Sequence, residues 1–249
     1  MIDALCDIVP AVKPQSAYYE MLGPHGVLAL KMTCDYAKSK GMYVILDGKR
    51  NDIGSTAEAY GAAYLGTVKV GGSEMRPFDA DALTVNAYLG SDGIKPFINM
   101  AVKYDKAVFA LVRTSNPSAG EFQDKLIGGE RLYTTVGDLM EEISRDTIGK
   151  HGYTRVGAVV GATYPEEAEF LRKRLKNTFF LVPGYGAQGG SAAEAACAFD
   201  ENGRGAIVNS SRGIIAAWKK SGGDYKEAAR AEALRMRDEL RLCLGKVES

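Results

Sequence analysis

Leu46-Asp47-Gly48-Lys49-Arg50-Asn51-Asp52-Ile53-Gly54-Ser55-Thr56 is the stretch on which the reading of this sequence turns. The residues leading into it, Met42-Tyr43-Val44-Ile45-Leu46, are all apolar. That is the pattern of a strand covered on both faces, as in the parallel sheet of an α/β protein. Side chains alternate along a strand, so Asp47 and Lys49 point to one side at its C-terminal end, while Asp52 and Thr56 fall in the turn and at the start of the next helix. A carboxylate that continues an apolar strand is normally paired or functional, because an isolated buried charge is costly. Asp47, Lys49 and Asp52 are therefore candidates for chemistry.

Working outward, the same unit recurs. Residues 82–88, 107–112, 156–160, 179–183 and 206–209 read as strands, each followed by a loop of small or polar residues and a helix-compatible segment. Upstream, residues 8–12 form a short apolar strand stopped at Lys13-Pro14, which leaves Lys13 at a strand end. A helical segment follows from about 16 to 40, broken near Gly23-Pro24 and closed by Gly41. The last helix opens with Asp224 and Glu227 in a capping-box pattern and carries Ala229, Ala233, Met236, Leu240 and Cys243 at helical spacing, a packing stripe. Strands alternating with helices imply a parallel sheet with right-handed crossovers. Polar residues gathered just after the strands predict an α/β fold of the (β/α)8 TIM-barrel class with its site on the C-terminal rim. Seven strands are identifiable and the first is absent, which leaves a barrel incomplete at its N-terminus or an open doubly wound sheet.

The 249 residues are 46% hydrophobic, enough for one large core, so residues 1–249 are expected to form a single barrel domain. Lys plus Arg and Asp plus Glu number 31 each, so no net field recruits nucleic acid or an anionic membrane. Apolar runs are strand-sized and the N-terminus lacks a secretion pattern, which predicts a cytoplasmic protein. Cys6, Cys34, Cys197 and Cys243 have no paired spacing; they fit buried thiols rather than a zinc site or disulfides. His25 and His151 sit beside glycine in expected surface turns, so catalysis is left to Lys and Asp.

Two late loops suggest an anion site. Val182-Pro183-Gly184-Tyr185-Gly186-Ala187-Gln188-Gly189-Gly190-Ser191 and Asn209-Ser210-Ser211-Arg212-Gly213 follow the last two strands. In barrels those loops, with an adjacent helix N-terminus, commonly hold phosphate, and Arg212 and Gln188 would add donors.

Asp47-x-Lys49-x-x-Asp52-Ile53-x-x-Thr56 resembles the motif of the orotidine 5'-phosphate decarboxylase family. Val12-Lys13-Pro14-Gln15, Thr114-Ser115-Asn116-Pro117, the Pro183 to Gly190 loop and Ser210-Ser211-Arg212 resemble its longer bacterial branch in the right order. The resemblance runs from about Ile8 to the C-terminal helix. It implies a cofactor-free, metal-free carboxy-lyase of pyrimidine biosynthesis that converts orotidine 5'-monophosphate to uridine 5'-monophosphate (UMP). Lys13, Asp47, Lys49 and Asp52 would form the family's Lys-Asp-Lys-Asp array, with Lys49 as proton donor. Asp52, Ile53 and Thr56 would cross into the partner's site of a homodimer with shared active sites. Ser115 would contact the pyrimidine, Pro183 would line the substrate, and Gln188 and Arg212 would hold the phosphate; Asn86 is left without a role. The family's first strand, with its Gly-Leu/Ile-Asp pattern, has no counterpart here, and the intact downstream motifs favour a start placed too late or a truncated gene over a degenerate protein. Two alternatives remain: a non-catalytic phosphate-binding barrel, and a magnesium-dependent sugar-phosphate decarboxylase of the same superfamily. Lys13 argues against the second, since it stands where those enzymes place a metal-binding carboxylate.

Overall fold

Apolar strands and the helices between them account for most of the buried surface in the computed structural model, which describes residues 1–186 and 189–245. The chain divides into two compact units, one of residues 10–111 and 142–157, the other of residues 1–9, 112–141 and 158–249.

The first unit holds the parallel strands Ala11–Val12, Tyr43–Arg50 and Ala82–Val85 and most of Ala107–Arg113, side by side in chain order. Ala11 pairs with Tyr43, Ile45 with Ala82, and Ala82 with Ala107. The central strand is longer than its apolar run, extending to Arg50, which pairs with Val85, but its register slips between Leu46 and Arg50. Lys49 sits at that slip with φ of 47°, a left-handed conformation uncommon outside glycine. The strand expected over 82–88 stops at Val85. There the Asn86 side chain accepts the Tyr88 N–H at 3.0 Å and starts a short 3-10 turn, a local bond that competes with the sheet. Helices Gly54–Leu65 and Ser91–Tyr104 pack closely at Gly61, where a Cβ would lie 2.9 Å from Met100 Cγ.

In the second unit most of Val156–Val160 and the strands Phe180–Val182 and Ala206–Val208 are again parallel and in chain order. Val112, Val160, Leu171, Phe180, Val182 and Met236 are part of its core. Among the described residues neither unit shows the reversal of strand order that an open doubly wound sheet contains. The final helix, Tyr225–Cys243, is capped by Asp224, which accepts the N–H groups of Lys226 and Glu227. Ala229, Ala233 and Met236 are buried and Leu240 packs beside them, but Cys243 is exposed, because the last turn runs past the core.

Several expectations need correction. Of the cysteines only Cys34 is buried. His25 lies in the helix Gly23–Ser39, not in a turn, since Pro24 in the first turn opens a helix as readily as it breaks one. Two antiparallel hairpins were not anticipated, Val68–Val70 with Ser73–Met75 and Leu126–Ile127 with Glu130–Arg131. Each turns on a Gly-Gly pair with positive φ, Gly71-Gly72 and Gly128-Gly129, as a two-residue hairpin loop requires. Among the described residues no helix is long and apolar enough to cross a membrane.

A second charge cluster braces the first unit. Lys106, only 6% exposed, lies 3.1 Å from Asp79 and 3.0 Å from Asp81, and Lys38 bonds the same two carboxylates. Burial pushes the Asp79 carboxyl up, but its bonds to Lys38, Lys106 and Arg76 outweigh this and hold it at about 2. A carboxyl lowered on folding adds stability above its unfolded pKa, and that stability is lost as pH falls through the folded value. Asp79→Asn keeps a residue tolerant of the φ of 49° found there while removing the charge. It should cost about 2 kcal/mol at neutral pH and flatten the fall in stability between about pH 4 and pH 2, measured by denaturant unfolding across that range.

Candidate active site

The site begins with one buried carboxylate. Asp47 is 5% exposed at the end of the apolar strand, and its backbone N–H donates to the Pro14 carbonyl at 2.9 Å. That bond and the adjoining Gln15–Asp47 bridge bring the Lys13 segment alongside. Lys13 Nζ donates to Asp47 Oδ2 at 2.5 Å and Gln15 Nε2 to the same oxygen at 3.1 Å. Lys49 Nζ donates to Oδ1 at 2.7 Å and Thr84 Oγ1 to Oδ1 at 2.8 Å. Burial pushes the Asp47 carboxyl up, yet the Lys13 and Lys49 charges prevail and hold it below the usual carboxylate range. The side chain of Lys49 is 47% exposed, so its ammonium is fixed by Asp47 on one side and open on the other.

Asp47 and Lys49 meet as expected, but not by simple alternation. The strand slips at Lys49, and the Lys49 N–H finds Thr84 Oγ1 at 2.9 Å. Lys13, Asp47 and Lys49 are therefore assembled within this chain. Asp52 does not join them: it is half-buried, accepts its neighbour's N–H from Ile53 at 2.8 Å, and has no ion pair among the described residues. Ile53 and Thr56, at the start of the helix Gly54–Leu65, are exposed. Asn86 caps the turn that follows its strand.

In the second unit, Ser115 is half-buried in the loop after Arg113, and its hydroxyl has no hydrogen bond among the described residues. Gly161 lies directly against it: a Cβ there would be 2.9 Å from Ser115 Cβ and 3.0 Å from its Cα. Gln123 holds the loop by accepting the Thr114 N–H at 2.9 Å and donating to Thr114 Oγ1 at 2.7 Å. Beneath it the buried Arg113 guanidinium stacks 3.8 Å from the Tyr164 ring centre.

The Gly-rich loop is tightly built where it is described. The half-buried Pro183 accepts the Ala162 N–H at 2.8 Å, and Gly186 N–H donates to the Gly190 carbonyl at 2.7 Å. Tyr185 anchors it twice. Its carbonyl accepts from Ser210 Oγ at 3.1 Å, and its hydroxyl donates to Glu239 Oε2 at 2.6 Å. Burial pushes that phenol up to about 12, with Glu239 adding to the rise. Arg212, in the helix Ser211–Ile215, is exposed and has neither hydrogen bond nor ion pair among the described residues. Gln188 lies outside the described residues.

Gln15, Thr84 and Asn209 escaped the sequence reading. Gln15 lies inside a motif that gives it no role of its own, and Thr84 breaks an apolar strand as Asp47 does. Asn209 Oδ1, at the end of the last strand, is buried without a hydrogen-bond partner among the described residues.

The comparisons with known proteins agree with one another. A profile of the orotidine 5'-phosphate decarboxylase / HUMPS family matches residues 1–230. The chain is 45% identical over 248 residues to the orotidine 5'-phosphate decarboxylase of Rhodopirellula baltica, covering 97% of this chain and 81% of that one. It is 49% identical over 219 residues to that of Caldicellulosiruptor bescii, covering 88% of this chain and 72% of the relative. Its fold is similar to the solved Leishmania donovani OMP decarboxylase, with TM-score 0.77 and 30% identity over 96% of this chain and 84% of that one. It spans 48% of the Leishmania donovani UMP synthase chain and 96% of its own, with TM-score 0.79 and 33% identity. The fold class is thus the (β/α)8 barrel, of which seven strands are present among the described residues. By motif, by fold and by identity across nearly its whole length, the chain belongs to the orotidine 5'-phosphate decarboxylase / HUMPS family, and hence among decarboxylases.

Proposed function

We propose that this protein converts orotidine 5'-monophosphate to UMP without a cofactor, Lys49 supplying the proton. The observation that carries the reading is the Lys13–Asp47–Lys49 ladder, two ammonium groups fixed on one buried carboxylate with one of them left accessible.

In this reaction the bond from C6 of the pyrimidine to its carboxylate breaks, CO2 leaves, and the electron pair stays on C6 as a vinyl carbanion. No adjacent carbonyl delocalises that pair, so the protein must stabilise it electrostatically. An ammonium already held in place needs no reorganisation as the charge develops, and it then passes its proton to C6. Lys49 becomes a neutral amine and regains a proton from solvent before the next turnover. Asp47 orients both lysines. The roles of Ser115 at the pyrimidine, Pro183 along the substrate, and Gln188 and Arg212 at the phosphate are carried over from the family. The Arg212 guanidinium and the Ser115 hydroxyl, which have no hydrogen-bonding partner among the described residues, are consistent with such use. Phosphate binding far from C6 would supply energy that is used at the reacting carbon.

The metal-dependent alternative fits less well. Lys13 occupies Asp47 Oδ2, and its ammonium repels a divalent cation from that carboxylate. Asp52 completes the reading only across subunits: having no ion pair among the described residues and standing beside the exposed Ile53 and Thr56, it is suited to enter the site of a homodimeric partner.

The primary test is decarboxylation of orotidine 5'-monophosphate, followed by its ultraviolet change, with a chelator present. Turnover is expected. A folded protein that binds UMP but never turns over would instead indicate the non-catalytic barrel. Lys49→Ala should lose at least about a thousandfold in kcat, since electrostatic and proton-transfer roles go together, while UMP affinity changes little; near-normal turnover would rule Lys49 out. Gly161→Ala should displace Ser115 and raise KM by about tenfold or more with a smaller change in kcat, read from steady-state kinetics. For the shared site, Lys49→Ala and Asp52→Asn homodimers should each be nearly inactive, and mixing them should restore activity; no recovery after verified subunit exchange would argue against crossing.

A further inference from the structure

We infer that Thr84 is a positioning residue for the reaction, its one hydroxyl setting both ends of Lys49; this rests on Lys49 being the proton donor. Thr84 is 1% exposed in a strand whose other members, Ala82, Leu83 and Val85, are all fully buried and apolar. A valine would fill the same space in such a strand without a hydroxyl to satisfy, so the hydroxyl calls for a specific use.

The geometry supplies one. A carboxylate only accepts and a backbone N–H only donates, so the direction of both bonds is forced. Thr84 Oγ1 gives its hydrogen to Asp47 Oδ1 at 2.8 Å and accepts the Lys49 N–H at 2.9 Å. That N–H lies where the strand register slips, and Lys49 holds φ at 47°. Such a conformation in a non-glycine residue persists only when its surroundings impose it. Thr84 gives the displaced N–H its acceptor. Through the same oxygen it fixes Asp47 Oδ1, which takes the Lys49 ammonium at 2.7 Å. Backbone and ammonium of Lys49 are thus both referred to a single buried atom, and a shift at that atom would move the proton donor relative to C6.

The test compares Thr84→Val and Thr84→Ser in the full chain, with sites counted by UMP binding so that kcat refers to folded protein only. Thr84→Val is expected to lose about thirtyfold or more in kcat with KM within about threefold, because small misplacements of a reacting group are costly, whereas Thr84→Ser stays within about threefold of the parent. Amide hydrogen exchange at Lys49 should accelerate in Thr84→Val while Leu46 and Leu83 keep their protection. The inference is overturned if Thr84→Val keeps its kcat per site, or if Thr84→Ser is as impaired as Thr84→Val. A parent protein silent toward orotidine 5'-monophosphate would defeat the proposed function instead. The exchange measurement then still decides: unchanged protection at Lys49 overturns the role of Thr84, and selective loss of it supports that role.

Discussion

The structure of the site depends on one carboxylate that has almost no access to water. Asp47 is buried among strands that bring little polarity of their own, so its charge has to be met by donors from the protein. Four are present, from Lys13, Gln15, Lys49 and Thr84, two on each oxygen. They come from three neighbouring strand ends, which makes the carboxylate a pin through the rim of the first unit. A buried charge is tolerated only when its partners are complete, and removing one partner commonly costs about 3–5 kcal/mol. Folding and site assembly are therefore the same event at this point.

The local backbone follows from that requirement. A regular strand would hold the Lys49 N–H in the ladder, and the left-handed turn at Lys49 takes it out. Glycine would accept this φ without strain, yet glycine has no ammonium to offer. The chain places Gly48 beside the slip and keeps lysine at the strained position, a local cost carried where a function needs the side chain. The strain is held by bonds to residues that are themselves locked in the sheet, Thr84 among them.

How much of this could be read from the sequence follows the range of the interactions. The apolar run before Asp47 and its interruption by charge are local signals, and they located Asp47 and Lys49. Seven strands were legible for the same reason, each being a short apolar run closed by a small or polar loop. Thr84 and Gln15 were not, because their relation to Asp47 depends on register between strands more than thirty residues apart in the chain. Cys243 misled by continuing a helical stripe past the end of the core. The Gly-Gly hairpins carried a usable turn signal, but their strands, of two or three residues, are too short to show alternation. The pattern marks Asp52 as a candidate and the resemblance alone gives it a place in the array; among the described residues it has no charged partner.

The two lysines are not equivalent in what their loss would do. Lys13 has a side chain 13% exposed and satisfies Asp47 Oδ2 together with Gln15, whereas the Lys49 side chain is 47% exposed. Without the Lys49 ammonium, Asp47 still keeps Lys13, Gln15 and Thr84, so the carboxylate remains paired and the fold retains its pin. Without Lys13, a buried oxygen would be left to a single neutral amide, the weaker kind of donor for a charge. Structure and chemistry are thus divided along the ladder: Lys13 belongs mainly to the folding of the site, and Lys49, the exposed end, is the member free to act on a substrate.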